Sequence, residues 1–156
     1  MARPAKMKVD YFPHMTHTGK TLAILEAHWG NDGYAFWFKL LELLGDTDSF
    51  SYDCSRSSDW EYLLSKTLVD GPVALAILNK LAEIGAIDTE LWTHKIVWSD
   101  HFVSNLEPLF ERRKSEAPNK PSLWLAKPVA EKVSGENCDG NSGETVIILT
   151  ETDKVK

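Results

Sequence analysis

Cysteine is scarce in this 156-residue chain, which has only Cys54 and Cys138. Two distant cysteines are too few for the disulfide framework of a small secreted domain, and neither belongs to a Cys-x-x-Cys pair of the kind that holds zinc. Long apolar runs are also missing. None approaches the roughly 18 residues needed to span a bilayer, and the basic start Met1-Ala2-Arg3-Pro4-Ala5-Lys6-Met7-Lys8 leads into no apolar stretch, so a secretory signal is not expected. Surplus positive charge is the third absence. With 17 Lys+Arg against 23 Asp+Glu the formal net charge is -6, which leaves any nucleic-acid role to local basic patches. A cytoplasmic protein with no membrane contact is the expectation. What is abundant is core material: 43% of residues are hydrophobic and 10% aromatic, enough for one ordinary globular domain with an appendage.

The composition changes after Lys114. Beyond it come Pro118, Pro121 and Pro128, then Ser134-Gly135-Glu136-Asn137-Cys138-Asp139-Gly140-Asn141-Ser142-Gly143, too polar and Gly-rich for a packed element. Residues 1–114 therefore read as the domain and 115–156 as a largely disordered, flexible tail. Two apolar clusters interrupt the tail, Leu123-Trp124-Leu125 and Val146-Ile147-Ile148-Leu149, either of which suits docking or strand pairing. No internal repeat is present. Both parts are acidic: residues 1–114 carry 12 basic and 16 acidic side chains, and the tail 5 and 7. Positive charge gathers only at the domain's two ends, in Arg3, Lys6 and Lys8 and in Arg112-Arg113-Lys114.

Periodicity predicts a mainly α (α+β) domain. Leu22, Leu25 and Trp29 share a helical face after a cap at Thr16 or Thr18; Gly30-Asn31-Asp32-Gly33 then breaks the pattern. Asp32 is expected to cap a second helix carrying Tyr34, Trp37, Leu40, Leu41 and Leu44, ended by Gly45 and Asp46. Phe50-Ser51-Tyr52-Asp53 alternates like a strand, and Ser58-Asp59-Trp60-Glu61 has the form of a capping box, in which Ser and Glu reciprocally satisfy amides at a helix start. Asp70-Gly71-Pro72 predicts a capped helix through Ile84, with Gly85 as its left-handed terminator. Ala86-Ile87-Asp88 and Lys95-Ile96-Val97-Trp98-Ser99 are then expected to form a β-hairpin with residues 89–94 as its turn, and Asp100 to cap a closing helix over 102–114. Two helices joined by a tight turn and followed by a hairpin are the layout of a winged-helix domain, though other small helical folds share that string.

No constellation points to catalysis, a cofactor or a metal. His17-Thr18-Gly19-Lys20-Thr21 ends like a phosphate-binding loop, but the required first Gly is replaced by His14 and no suitable strand precedes it. His14, His17 and His28 lack ligand spacing, and no nucleophile elbow or marked carboxylate pair is present. An enzyme is not expected. The predicted helix after Asp70 offers only Asn79, Lys80 and Glu83 as polar groups, a poor set for reading base edges. Nonspecific, salt-sensitive phosphate contacts are therefore expected from Arg3, Lys6, Lys8, Lys80, Lys95, Arg112, Arg113 and Lys114. Most aromatics fall at core spacing. Trp92 is singled out because it sits in the predicted hairpin turn, where an exposed indole would suit a partner surface or base stacking.

Several stretches together carry a family resemblance: Arg3-Pro4 with Asp10-Tyr11-Phe12-Pro13, Leu25-Glu26 with Gly30 and Gly33-Tyr34-Ala35, and Leu40-Leu41-Glu42. Ile77-Leu78 with Leu81, Ile87-Asp88 with Glu90-Leu91-Trp92, Trp98-Ser99-Asp100 with Phe102, and Arg112-Arg113-Lys114 continue it. In order and spacing they resemble the Lin-type N-terminal domain of phage and prophage replisome-organiser proteins, related in fold to the winged helix of the primosome protein DnaD. The resemblance covers about residues 1–114. It implies a DNA-binding and protein-organising role in replication initiation, with a helicase or its loader and a second copy of the chain as partners. A winged-helix interaction or oligomerisation domain that leaves DNA alone is the alternative.

Overall fold

Helix α1 (Lys20–Gly45) is the longest element, and its own sequence breaks it. Gly30 lies at φ 57°, ψ -137°, backbone space that a Cβ closes to other residues, so α1 is two arms meeting where the sequence predicts a break. Gly33 then lets the arms approach: a Cβ there would stand 2.5 Å from the Leu25 carbonyl oxygen. Neither Thr16 nor Asp32 serves as the expected cap. Gly19 is the N-cap of α1 and no side chain bonds there; Asp32 makes no capping hydrogen bond among the described residues, and Thr18 lies outside them. The computed structural model describes residues 7–16 and 19–122, all within one compact unit.

In the second arm Phe36, Leu40, Leu43 and Leu44 fall one turn apart and are all buried, the helical spacing of a core face. Phe50 follows in the left-handed region, at φ 51°. Its ring offsets that strain by full burial against Phe102 and Phe110, with centroids 5.8 and 5.7 Å away. Strand β1 (Tyr52–Asp53) and helix α2 (Ser57–Thr67) come next. The capping box predicted at Ser58 does not form, because the helix starts two residues earlier with Arg56 as an uncapped N-cap. Helix α3 (Gly71–Glu83) starts as predicted: Asp70 accepts the Val73 amide at 2.9 Å, and Pro72 occupies the first turn, where no amide partner is needed. Ala74, Ile77, Leu78, Leu81 and Ala82 are buried, and Gly85 turns the chain at φ 71°.

The predicted hairpin is replaced. Residues expected to form its turn make a short helix, α4 (Thr89–Thr93), capped by Asp88, whose carboxylate accepts the Leu91 amide at 2.8 Å. Coiling that stretch puts Ile87, Leu91 and Trp92 on one side, and all three are buried, whereas an extended turn would leave Trp92 in water. Strand β2 (Ile96–Val97) pairs antiparallel with β1, Tyr52 opposite Val97 and Asp53 opposite Ile96. Of the expected hairpin one backbone bond survives, from the Asp88 amide to the Trp98 carbonyl at 2.8 Å.

Helix α5 (Asp100–Arg113) closes the core with Phe102, Val103, Leu106 and Phe110. Its cap is Ser99, whose hydroxyl accepts the Phe102 amide at 3.3 Å; Asp100, expected in that role, instead accepts the Trp98 indole N–H at 2.8 Å. The fold is thus mainly helical with one two-stranded antiparallel sheet. Residues 115–122, assigned to the tail by sequence, continue against it: Ala117 packs on the core, and the Lys120 ammonium reaches Asp88 at 2.6 Å and Glu90 at 3.9 Å. The rest of that tail lies outside the described residues.

Candidate nucleic-acid interface

The N-terminal segment is held against the helices before it delivers any charge. The Val9 amide donates to the Gly45 carbonyl at 2.9 Å, and Phe12 meets Phe102 edge-on and stacks with Phe38. Gly45 lacks the Cβ that would stand 2.8 Å from a Val9 methyl. This placement carries Lys8 to the C-terminal end of α5, where the Arg113 guanidinium donates to the Lys8 carbonyl at 3.0 Å. Lys8 and the basic end of α5, 105 residues apart in sequence, therefore meet.

Lys8, Arg112, Arg113 and Lys114 share that end of the molecule, and the outward carbonyls of α5's last turn favour cations there. Lys114 is the C-cap, at φ 53°. The patch is partly neutralised, since the Lys8 ammonium lies 3.3 Å from the exposed Asp46 carboxylate. Arg3 and Lys6 lie outside the described residues.

The other two basic sites are elsewhere. The Lys80 ammonium is paired with Glu83 at 2.6 Å on α3. Lys95 follows α4 and stands over the Trp92 ring, its ammonium 4.8 Å from the centroid. Trp92 itself corrects the sequence expectation of an exposed indole: it is 6% exposed and donates its N–H to Asn79 at 2.8 Å. That bond occupies the Asn79 carbonyl oxygen, one of three polar groups α3 had for base edges. The exposed positions of α3 are Pro72, Leu75, Ala76, Asn79 and Glu83, an apolar face with one carboxylate and no exposed cation.

Tyr62, Leu68 and Leu75, on α2, the turn after it and α3, are the exposed large apolar side chains of this region, at 56%, 79% and 38%. Sequence reasoning found the helix after Asp70 apolar but missed the exposure of Tyr62 and Leu68 and the meeting of Lys8 with Arg113, which had no local signal. Among the described residues no three His, Cys, Asp or Glu side chains converge as metal ligands. His14 is engaged with the Tyr34 hydroxyl at 2.9 Å and with the Phe38 ring. Cys54 is buried and its thiol is pushed up to about 12, by desolvation first and by the neighbouring Asp53 carboxylate second. No helix among the described residues is long and apolar enough to cross a membrane. Comparison with known protein families, characterised proteins and solved structures finds no match for this chain.

Proposed function

We propose that this chain is a non-enzymatic DNA-binding and protein-organising module of phage-type replication initiation, acting in the cytoplasm through a winged-helix domain over about residues 1–114. The observation that carries the reading is the Arg113–Lys8 bond, which brings Lys8 to the basic end of α5. A patch of Lys8, Arg112, Arg113 and Lys114, with Arg3 and Lys6 as further basic residues of the sequence, contacts phosphates and not base edges, so it holds DNA without choosing sequence. The element order supports the winged-helix assignment: a strand between the first two helical elements pairs with a strand that follows α3 and α4. The family resemblance supplies the replication context and the partners, a helicase or its loader and further copies of the chain.

Fluorescence anisotropy with random-sequence DNA across about 50–200 mM salt tests the reading. Binding should weaken steeply with salt, and Arg112→Glu with Lys114→Glu should flatten the salt slope by about two units, one per lost phosphate contact. That pair leaves the Arg113 bond intact. No retention of DNA even at low salt would refute the DNA role. One observation favours the second reading, a winged-helix interaction domain that leaves DNA alone: the exposed Tyr62, Leu68 and Leu75. Light scattering that finds a monomer at high concentration, with no partner recovered by pull-down, would count against it.

A further inference from the structure

A cleft of about 600 Å³ opens beside the first turn of α3, within the range of small-ligand sites. Trp60 and Trp92 line it, with Pro72 and Leu75 along the α3 side. Two features of its polar groups restrict what it takes. First, Lys95 is locked in place. Its backbone lies at φ 63°, its amide donates to the Trp92 carbonyl at 2.9 Å, and its carbonyl accepts the Cys54 amide at 2.8 Å. A lysine held in backbone space better suited to glycine, with its ammonium over an indole and no carboxylate partner among the described residues, is a cation kept at the cleft.

Second, the Trp60 indole N–H has no hydrogen-bond acceptor among the described residues. It lies at the Gly71 side of the cleft, where a Cβ on Gly71 would be 3.9 Å from it. A ring carrying an acceptor satisfies it; a plain phenyl does not. The occupant is a heteroaromatic ring with acceptor atoms, tethered to an anion that meets Lys95.

We infer that this cleft seats one unpaired base of single-stranded DNA, its ring against Trp60, an acceptor on the Trp60 N–H and the adjoining phosphate on Lys95. The inference rests on the DNA-binding reading above but uses a different surface from the Lys8 and Arg112–Lys114 patch. A duplex does not supply such a base, because its ring faces and pairing edge are already occupied.

The test compares two labelled oligonucleotides of about ten nucleotides, a run of thymidines and a run of abasic sites, which carry equal phosphate charge. Anisotropy titrations with the full chain should show the thymidine strand bound about tenfold tighter. Lys95→Gly, which suits the left-handed backbone, and Leu75→Asp, on an exposed position, should each reduce that preference to about twofold or less while melting like the parent. Arg112→Glu with Lys114→Glu should weaken both strands together and keep the preference. Equal binding of the two strands by the parent chain overturns the base pocket and leaves the phosphate-binding function standing. A preference that survives Lys95→Gly and Leu75→Asp places the base elsewhere and equally overturns it. Failure to bind either strand at low salt overturns the function and the pocket with it.

Discussion

Replacing Gly33 by alanine should destabilise the protein, although alanine is the better helix former. In an ordinary helix interior the exchange gains about 1 kcal/mol. At this position the new Cβ would stand 2.5 Å from the Leu25 carbonyl oxygen and 2.9 Å from its carbon. The obstacle is main chain, so no rotamer change relieves it, and Leu25 itself is fully buried. The two arms of α1 must separate by about half an ångström or more, an overpacking cost of about 3 kcal/mol at the upper end of the usual range. The net loss is about 2 kcal/mol, which for a domain of this size lowers Tm by about 6–12 °C. Thermal melts followed by far-UV circular dichroism measure it, with Gly19→Ala, where nothing lies within 4 Å, as the control. A Gly33→Ala protein melting at or above the parent would refute the close packing of the arms.

Gly30→Ala should cost about 1–3 kcal/mol for a different reason, since its surroundings are empty and only the backbone at φ 57° resists a Cβ; an unchanged Tm would contradict the kink. Burial alone would raise the Asp88 carboxyl, but the Leu91 amide and Lys120 outweigh it and hold the group below the usual carboxylate range. A depressed carboxyl contributes stability that is present above its unfolded value, near 3.8, and is lost as pH falls through the folded one. Asp88→Asn, which keeps a capping oxygen but no charge, should therefore melt below the parent at neutral pH and converge with it in acid, as calorimetry across pH would show. With its thiol near 12, Cys54 is a thiolate in on the order of one molecule in ten thousand at pH 8. In a Cys138→Ser background, thiol labelling of the folded chain should be slow until denaturant is added; prompt labelling would contradict its burial.

Local rules carried much of the fold. Asp70 with Pro72, Gly85, the break at Gly30 and the apolar stripes of α1, α3 and α5 each act within one or two turns of chain, so spacing alone exposes them. The errors fell where two local readings competed. Asp88-Thr89-Glu90-Leu91-Trp92 reads as a hairpin turn only if Lys95–Ser99 pairs with Ala86–Asp88, and within the first of these Ile96–Val97 pairs instead with Tyr52–Asp53, far earlier in the chain. Asp88 as a cap, with Glu90 in the first turn, was the overlooked sign of a helix. The cap expected at Asp100 falls to Ser99, because the Trp98 indole N–H takes the Asp100 carboxylate.

The candidate site divides in the same way. Which residues are basic, that they cluster at the two ends of the domain, and that α3 lacks base-reading side chains all follow from the sequence by itself, because charge and helical period belong to the residues. That the ends meet at Arg113 and Lys8, that Trp92 turns inward to Asn79, and that Lys95 is locked beside Trp92 at the cleft that Trp60 also lines were decided only by the tertiary structure. Contacts between residues far apart in sequence form only where burial of the shared core brings their elements together, and no local pattern encodes that distance.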